Sequence, residues 1–197
     1  ATFEWRDIEA SDALLSLAEH RLKPIQNLIS EKGLPLPFTT EIHEALIQWI
    51  QGLGQRLKRG ALLLVDYGYT RSEFYHPQRS EGTLMCHFRH HAHDEPLRWP
   101  GLQDITAFVD FTTVAETADS VALDVMGYTT QGHFLMNSGV LQALESIADP
   151  LQLSAMAEQL RRLMLPGEMG ERFQLMQLSK GFDHAGPGFE VDLRYRL

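Results

Sequence analysis

Three carboxylates stand where an α/β chain carries chemistry: Asp66, Asp104 and Asp110. Asp66 ends an unbroken apolar run, Gly60-Ala-Leu-Leu-Leu-Val-Asp66, and Tyr67-Gly68 follows it. Such a run reads as a strand buried on both faces. It delivers a carboxylate and a flexible turn at its C-terminal end, the edge where open α/β sheets place ligands. A turn or helix-capping role is the alternative for Asp66. Asp104 and Asp110 flank Ile105-Thr-Ala-Phe-Val109, an even separation that puts both on one face if the segment is a strand. There they bind a cationic substrate, or they cap a helix starting near Thr112. The residues alone leave both readings open.

His87-Phe-Arg-His-His-Ala-His-Asp94 gathers four histidines and a carboxylate within eight residues. Histidine is a common metal ligand, and His91 and His93 share one side of a strand. No second cluster has matching spacing, so a polar loop is expected and a native metal is not. Cys86 neighbours His87, but adjacent strand residues point to opposite faces, so the expectation is a buried structural thiol rather than an activated one. Gly52-Leu-Gly54 lacks the preceding strand and following helix that a phosphate-binding loop needs. It reads as the terminator of a helix.

The elements that must position these groups follow from apolar periodicity. Ser11 to about Gly33 is helical, capped by Ser11 or Asp12, with Leu14, Leu15, Leu17, Ala18 and Leu22 on its apolar face. Pro24 divides it, Gly33 stops it, and Leu34-Pro-Leu-Pro37 makes a rigid connector. A helix over Thr40–Arg59 carries Ile42, Leu46, Trp49, Leu53 and Leu57 at steps of three and four. Strands are predicted at Ala61–Asp66, Thr83–Phe88, Asp104–Phe111, Val121–Val125 and Arg172–Leu178. Helices are predicted at Thr112–Ala118, Gln131–Asn137, Val140–Ile147 and Leu153–Met164, and Phe189–Tyr195 forms a last alternating piece.

Bulk properties narrow the function classes. The 197 residues suffice for one buried domain or two small ones, and 44% hydrophobic content with a mean hydropathy of −0.20 is ordinary for a globular chain. Seventeen basic against 26 acidic residues give a net charge of −9, which repels phosphate backbones and argues against nucleic acid. A cationic substrate suits it better. The single cysteine excludes an internal disulfide and fits a reducing compartment. No run approaches the ~20 apolar residues of a membrane span. The opening Ala-Thr-Phe-Glu-Trp has no basic region ahead of an apolar core, so it does not read as a signal peptide; lacking an initiator Met, it agrees with a chain cut from a longer one.

Gly60 to Gly68, Gly82-Thr-Leu84, Arg89-His-His91, Pro100-Gly-Leu-Gln-Asp-Ile-Thr-Ala-Phe-Val-Asp-Phe111 and Gln131-Gly-His-Phe-Leu135 together resemble the MidA-type family. Those proteins are S-adenosylmethionine-dependent protein methyltransferases that act in assembly of respiratory complex I. The resemblance runs from about Thr39 to Lys180 and implies an α/β class I, Rossmann-like methyltransferase sheet. Leu62–Asp66 matches its strand five, Val121–Val125 and Arg172–Leu178 its closing antiparallel pair, and the residues between Gly68 and Phe111 an insertion over the active-site edge. The family's Gly-rich turn, the acidic residue after strand two and the Asn-Glu and Asp-Ala-x-Pro region of strand four have no match here. The chain is thus similar to the C-terminal, substrate-side half of such an enzyme, read as one unit with a helical lead-in over residues 1–59.

The family's activity, symmetric dimethylation of an arginine in a complex I subunit, implies roles for particular residues. Asp66, Asp104 and Asp110 would orient and deprotonate a guanidinium, with Tyr67, Gly68, His90, Thr106 and Gln131 lining the substrate site. Family members commonly read Thr-Ala-His-Val-Asp-Phe where this chain has Phe108 in the His place; if that His relays protons, the relay is lost here. The resemblance implies S-adenosylmethionine for the complete enzyme and no cofactor for this chain alone. It implies a protein partner with an exposed arginine, and self-association or binding to the missing N-terminal half. The compartment is the bacterial cytoplasm, or the mitochondrial matrix in a eukaryote. The reading from another class is a non-catalytic module that recognises an assembly partner.

Overall fold

A computed structural model describes residues 3–26 and 37–197. In chain order its elements are α1 (Asp12–Gln26), α2 (Glu44–Arg56), β1 (Gly60–Tyr69), α3 (Arg71–Phe74), β2 (Met85–Phe88), β3 (His91–His93), β4 (Asp104–Thr106) and β5 (Val109–Asp110). Then come α4 (Phe111–Asp119), β6 (Asp124–Thr130), α5 (Gln131–Asn137), α6 (Val140–Glu145), α7 (Pro150–Met164), α8 (Met169–Arg172) and β7 (Phe173–Lys180). They fall into two compact units, Ala1–His43 with Arg71–Phe108, and Glu44–Thr70 with Val109–Leu197. The lead-in therefore divides: α1 clusters with the inserted segment, whereas α2 belongs with the sheet. The expected helix stop at Gly33 and the connector residues Leu34 to Leu36 lie outside the described residues.

The second unit is built on a sheet of order β5-β1-β7-β6. β7 runs antiparallel to β1 and to β6, as expected of the closing strands, and β5 runs parallel to β1. Leu62 and Leu64 of β1 pack on a core of Ile50, Phe111, Val114, Ala118, Leu123, Tyr128, Met176 and Leu178. This cluster joins α2 and α4 to one face of the sheet. Burial of β1 on both faces is not realised, because Leu63 and Val65 are 50% and 48% exposed.

The core face of α2 is also rotated from the predicted stripe. Ile50 is fully buried while Trp49 is half-exposed. Gly52 and Gly54 lie inside α2 rather than at its end. A Cβ on Gly54 would sit 2.4 Å from Val121 Cγ2, so glycine is what lets the helix approach the turn after α4. In that turn Ala122 takes φ 55°, which delays β6 to Asp124, three residues after the predicted start. Phe189–Tyr195 does not form a strand. Phe189 packs against Gly127 and edge-on to Phe134, and the tail closes in one 3-10 turn, Arg194–Arg196.

In the first unit, α1 is continuous through Pro24 and begins with Ser11 Oγ accepting the Leu14 N–H at 3.2 Å. Ile25 is buried, whereas Leu15 is half-exposed. The same unit contains α3 and a three-stranded antiparallel sheet of order β3-β2-β4. β2 and β3 make a hairpin whose two loop residues, Arg89 and His90, have φ of 49° and 68°. Two consecutive positive φ values characterise a type I′ turn, usually signalled by Asn-Gly. Without that signal the segment reads as a polar loop, and β3 is missed. The predicted strand Asp104–Phe111 is two pieces, β4 in this sheet and β5 in the other.

Candidate functional site

The C-terminal end of β1 is held by close backbone approach. Parallel pairing sets Gly68 beside Val109 and Tyr69 beside Asp110. A Cβ on Gly68 would lie 2.3 Å from the Val109 carbonyl oxygen and 2.7 Å from the Phe111 ring. Gly68 is thus a packing requirement. β1 continues to Tyr69, so Asp66 stands three residues before the strand end rather than at it. Its carboxylate is solvent-exposed and accepts the Tyr67 N–H at 2.8 Å. Tyr67, on the opposite sheet face, sets its ring 4.1 Å from that of Phe173, tilted by 42°. An exposed carboxylate and a partly exposed aromatic pair thus lie on one short stretch of strand.

Asp110 is 3% exposed and caps α4. Its carboxylate accepts the Thr113 N–H at 3.2 Å and the Thr113 hydroxyl at 2.6 Å. The capping reading of this residue is therefore realised, at the helix start the sequence indicated. Asp104 lies in the other unit, on β4, directly across from His87 of β2. The chain breaks out of strand between Thr106 and Val109, so Asp104 and Asp110 do not share the face of one strand.

The other expected substrate contacts hold the fold together. Thr106 donates its hydroxyl to the Met85 carbonyl at 3.2 Å, and Gln131 donates its amide to the Leu163 carbonyl at 2.9 Å. His90 occupies the second position of the hairpin turn. Cys86 is buried opposite His93, and His87 beside it is exposed. Burial, aided by the negative charge of Asp94, pushes the thiol pKa up and keeps the sulfur protonated. His93 turns its ring edge-on to Trp99, which also contacts Phe88 at 4.4 Å and lies under the Arg98 guanidinium. Among the described residues no three His, Cys, Asp or Glu side chains form a group able to hold a metal.

Glu41 went unnoticed in the sequence. Its carboxylate accepts the Thr83 N–H at 2.9 Å and 3.0 Å, the Leu84 N–H at 2.9 Å and the Thr83 hydroxyl at 3.0 Å. The Thr83 hydroxyl also accepts the Phe108 N–H at 3.0 Å. Gly82, at φ +84°, turns two successive amides toward one side, a concavity suited to an anion. The readable signal was Gly82-Thr-Leu84; nothing in the run around Glu41 marks it as the anion that fills the turn.

Two strand-to-helix turns of the sheet unit are already capped by side chains. A nucleoside cofactor with a carboxylate needs free amides at a strand-to-helix turn. At the β5–α4 turn Asp110 already takes the Thr113 amide, and at the β6–α5 turn the Thr130 hydroxyl accepts the His133 amide at 3.3 Å.

Residues 3–129 match a family described as "putative S-adenosyl-L-methionine-dependent methyltransferase". Protein arginine methyltransferase NDUFAF7, mitochondrial, of Danio rerio is 35% identical over 138 residues, covering 66% of this chain and 30% of that protein. The NDUFAF7 homolog of Drosophila melanogaster is 30% identical over 186 residues, 89% of this chain and 41% of that one. Among solved structures, a COG1565 superfamily protein of Burkholderia thailandensis superposes with a TM-score of 0.88 at 35% identity, covering all of this chain and 50% of its own. A second from the same organism, bound to S-adenosyl-homocysteine, gives 0.79 at 37% identity, covering 87% and 45%. The chain thus spans half or less of the length of these relatives. With a family match over residues 3–129 and solved neighbours that superpose on it at 35% and 37% identity, the chain belongs to this family of S-adenosyl-L-methionine-dependent methyltransferases.

Proposed function

We propose that the chain is the C-terminal, substrate-side portion of an S-adenosylmethionine-dependent protein methyltransferase that modifies arginine. The observation that carries this reading is Asp66, an exposed carboxylate near the end of β1 in a chain whose relatives are named protein arginine methyltransferases. A guanidinium stays protonated to about pH 12 or beyond, so it must be held in fixed geometry and relieved of a proton as its nitrogen is methylated. A carboxylate does both: it binds two N–H groups side by side and then accepts one proton. In this reading Asp66 orients the guanidinium, and Asp104, an exposed carboxylate of the first unit, is the other acidic candidate for the cation. Asp110 acts through the α4 cap, and Gly68 permits the close β1–β5 approach beside it.

The methyl donor is held by residues outside this chain, and the 197 residues alone do not bind it tightly. A protein with an exposed arginine is the substrate. The compartment is the bacterial cytoplasm for a bacterial chain and the mitochondrial matrix for a eukaryotic one, the latter supported by relatives named mitochondrial. Among the described residues no helix is long and apolar enough to cross a membrane.

The test uses the complete enzyme and an arginine-bearing protein acceptor. Asp66→Asn and Asp104→Asn, both at exposed positions, lower methyl transfer by roughly the 10²–10⁴-fold typical of a lost acid–base group. They leave the melting temperature within about 2 °C, as surface substitutions do. Losses of activity that track losses of stability reject the assignment.

A further inference from the structure

The core ladder of the sheet ends in a polar pair. β1 and β7 set Leu62 opposite Leu178, Leu64 opposite Met176 and Asp66 opposite Gln174. Residues directly opposite in an antiparallel pair project from the same face, with Cβ atoms about 4.5–5.5 Å apart. The first two pairs pack into the core, so the period of two carries Gln174 onto the core face, where it is 5% exposed. An aliphatic residue would continue the row of Leu178 and Met176 without polar cost, whereas a buried amide needs its hydrogen bonds made. That need is half met. Gln174 donates its side-chain N–H to the Glu171 carbonyl of α8 at 2.8 Å, and only the nitrogen end of the amide can do so. Its side-chain oxygen accepts no hydrogen bond among the described residues. Thr130, its neighbour on β6, serves α5 instead: the hydroxyl oxygen accepts the His133 N–H at 3.3 Å and lies 3.1 Å from His133 Nδ1. On the β1 side stands Asp66, whose carboxylate takes only the Tyr67 N–H among the described residues.

We propose that Gln174 is a specificity-determining residue beside Asp66, the one that selects an arginine side chain over a lysine. The inference rests on the reading of Asp66 as the group that binds the substrate cation. A guanidinium presents five N–H donors in a planar fork, and a carboxylate occupies two of them side by side. The Gln174 oxygen supplies a further acceptor next to that carboxylate, for a third N–H. Because the amide is tethered through its own N–H to α8, little side-chain freedom remains to be lost when the cation arrives. A neutral acceptor suits the place: it holds the plane of the guanidinium without competing for the proton that Asp66 takes. A lysine ammonium concentrates its charge on one strongly hydrated nitrogen, so it meets Asp66 and keeps water on its remaining donors.

The test is equilibrium binding, by the complete enzyme, of an arginine-bearing peptide and of the same peptide with lysine in place of that arginine. Gln174→Met raises the dissociation constant of the arginine peptide about tenfold or more, the loss of one hydrogen bond to a charged group. The lysine peptide changes by less than about threefold, so the preference for arginine falls. Gln174→Glu keeps an acceptor oxygen but cannot donate to the Glu171 carbonyl, and it holds arginine binding within about threefold of the unaltered enzyme. Equal losses for the two peptides in Gln174→Met overturn the proposal, because the residue then only supports α8. Arginine binding that survives Gln174→Met overturns it too, as does a Gln174→Glu loss of tenfold or about that size. Asp66→Asn, measured alongside, separates the two readings. If it weakens arginine binding while Gln174→Met does not, this inference alone fails. If Asp66→Asn leaves arginine binding unchanged, the functional reading fails and this inference with it.

Discussion

Replacing Glu41 by Ala should loosen the inserted unit at one defined place. Its half-buried carboxylate is the acceptor for two backbone amides and one hydroxyl, at 2.9 to 3.0 Å. Hydrogen bonds to a charged group contribute about 1.5–3 kcal/mol each when shielded. Here water can reach the amides once the carboxylate is gone, so less than half of that sum is lost, about 2 kcal/mol. A loss of that size corresponds to about a thirty-fold rise in the opening equilibrium of the turn. Hydrogen–deuterium exchange at the Thr83 and Leu84 amides reads it directly. The Phe108 amide, which donates to the Thr83 hydroxyl, follows with a smaller change. Gly82→Ala provides an independent route to the same loss. Its Cβ would lie 2.4 Å from Glu41 Oε1 at a φ of +84°, so the new methyl displaces the carboxylate. The two substitutions remove the same contacts, so their effects on Thr83 and Leu84 exchange should combine to much less than their sum. Unchanged exchange at both amides in Glu41→Ala, or full additivity with Gly82→Ala, refutes the clamp.

Gly54→Ala places its methyl 2.4 Å from Val121 Cγ2, and the overpacking should destabilise the sheet unit by about 1–3 kcal/mol; Val121→Ala restores most of the loss in a double-mutant cycle on the chemical denaturation midpoint. Asp110→Ala removes the α4 cap and leaves the Thr113 amide and hydroxyl without that acceptor, lowering stability by about 1–2 kcal/mol in the same assay, whereas Asp110→Asn keeps an acceptor and loses less. The Cys86 thiol should resist iodoacetamide at pH 8 until the chain is unfolded. Its folded pKa is raised above the unfolded one, so its stabilising contribution is complete below the ordinary thiol range near ~8.5 and is lost as pH rises through the folded value. Cys86→Ala should flatten the decline of stability at alkaline pH, and an unchanged pH profile would refute that linkage.

The sheet unit was the more legible part of the sequence because its signals are local and strong. Helix α5 was bounded at the predicted residues, and α4 and β7 within one or two, since apolar periodicity and capping residues coincide there. Prediction failed where a tertiary contact overrode the local signal. Gly54 looks like a helix terminator, yet α2 runs past it to Arg56, and glycine is needed there because Val121 fills the space a side chain would take. Arg89-His90 has no turn signature, yet the pairing of Phe88 with His91 closes a hairpin over it. Leu63 and Val65 read as buried because an unbroken apolar run signals a strand covered on both faces, whereas in the fold only the face carrying Leu62 and Leu64 packs on the core.

The candidate site shows the same division in its chemistry. Sequence spacing identified carboxylates but could not separate those that stabilise the fold from those left open to a substrate, because both uses call for the same residue type. Burial and hydrogen bonding separate them. Asp110 spends both carboxylate oxygens on Thr113, Asp66 faces water, and Asp104 sits at the surface opposite His87. A carboxylate that must release one proton-bearing partner and take another is better served by the exposed positions, where exchanging a water for a guanidinium leaves no buried group unpaired. For Asp110 the same exchange would uncap α4 beneath the core residues Phe111 and Val114. Stability therefore argues for Asp110 as a fixed cap beside the β1–β5 pairing, and leaves Asp66 the more suitable carboxylate for the cation in the proposed reading.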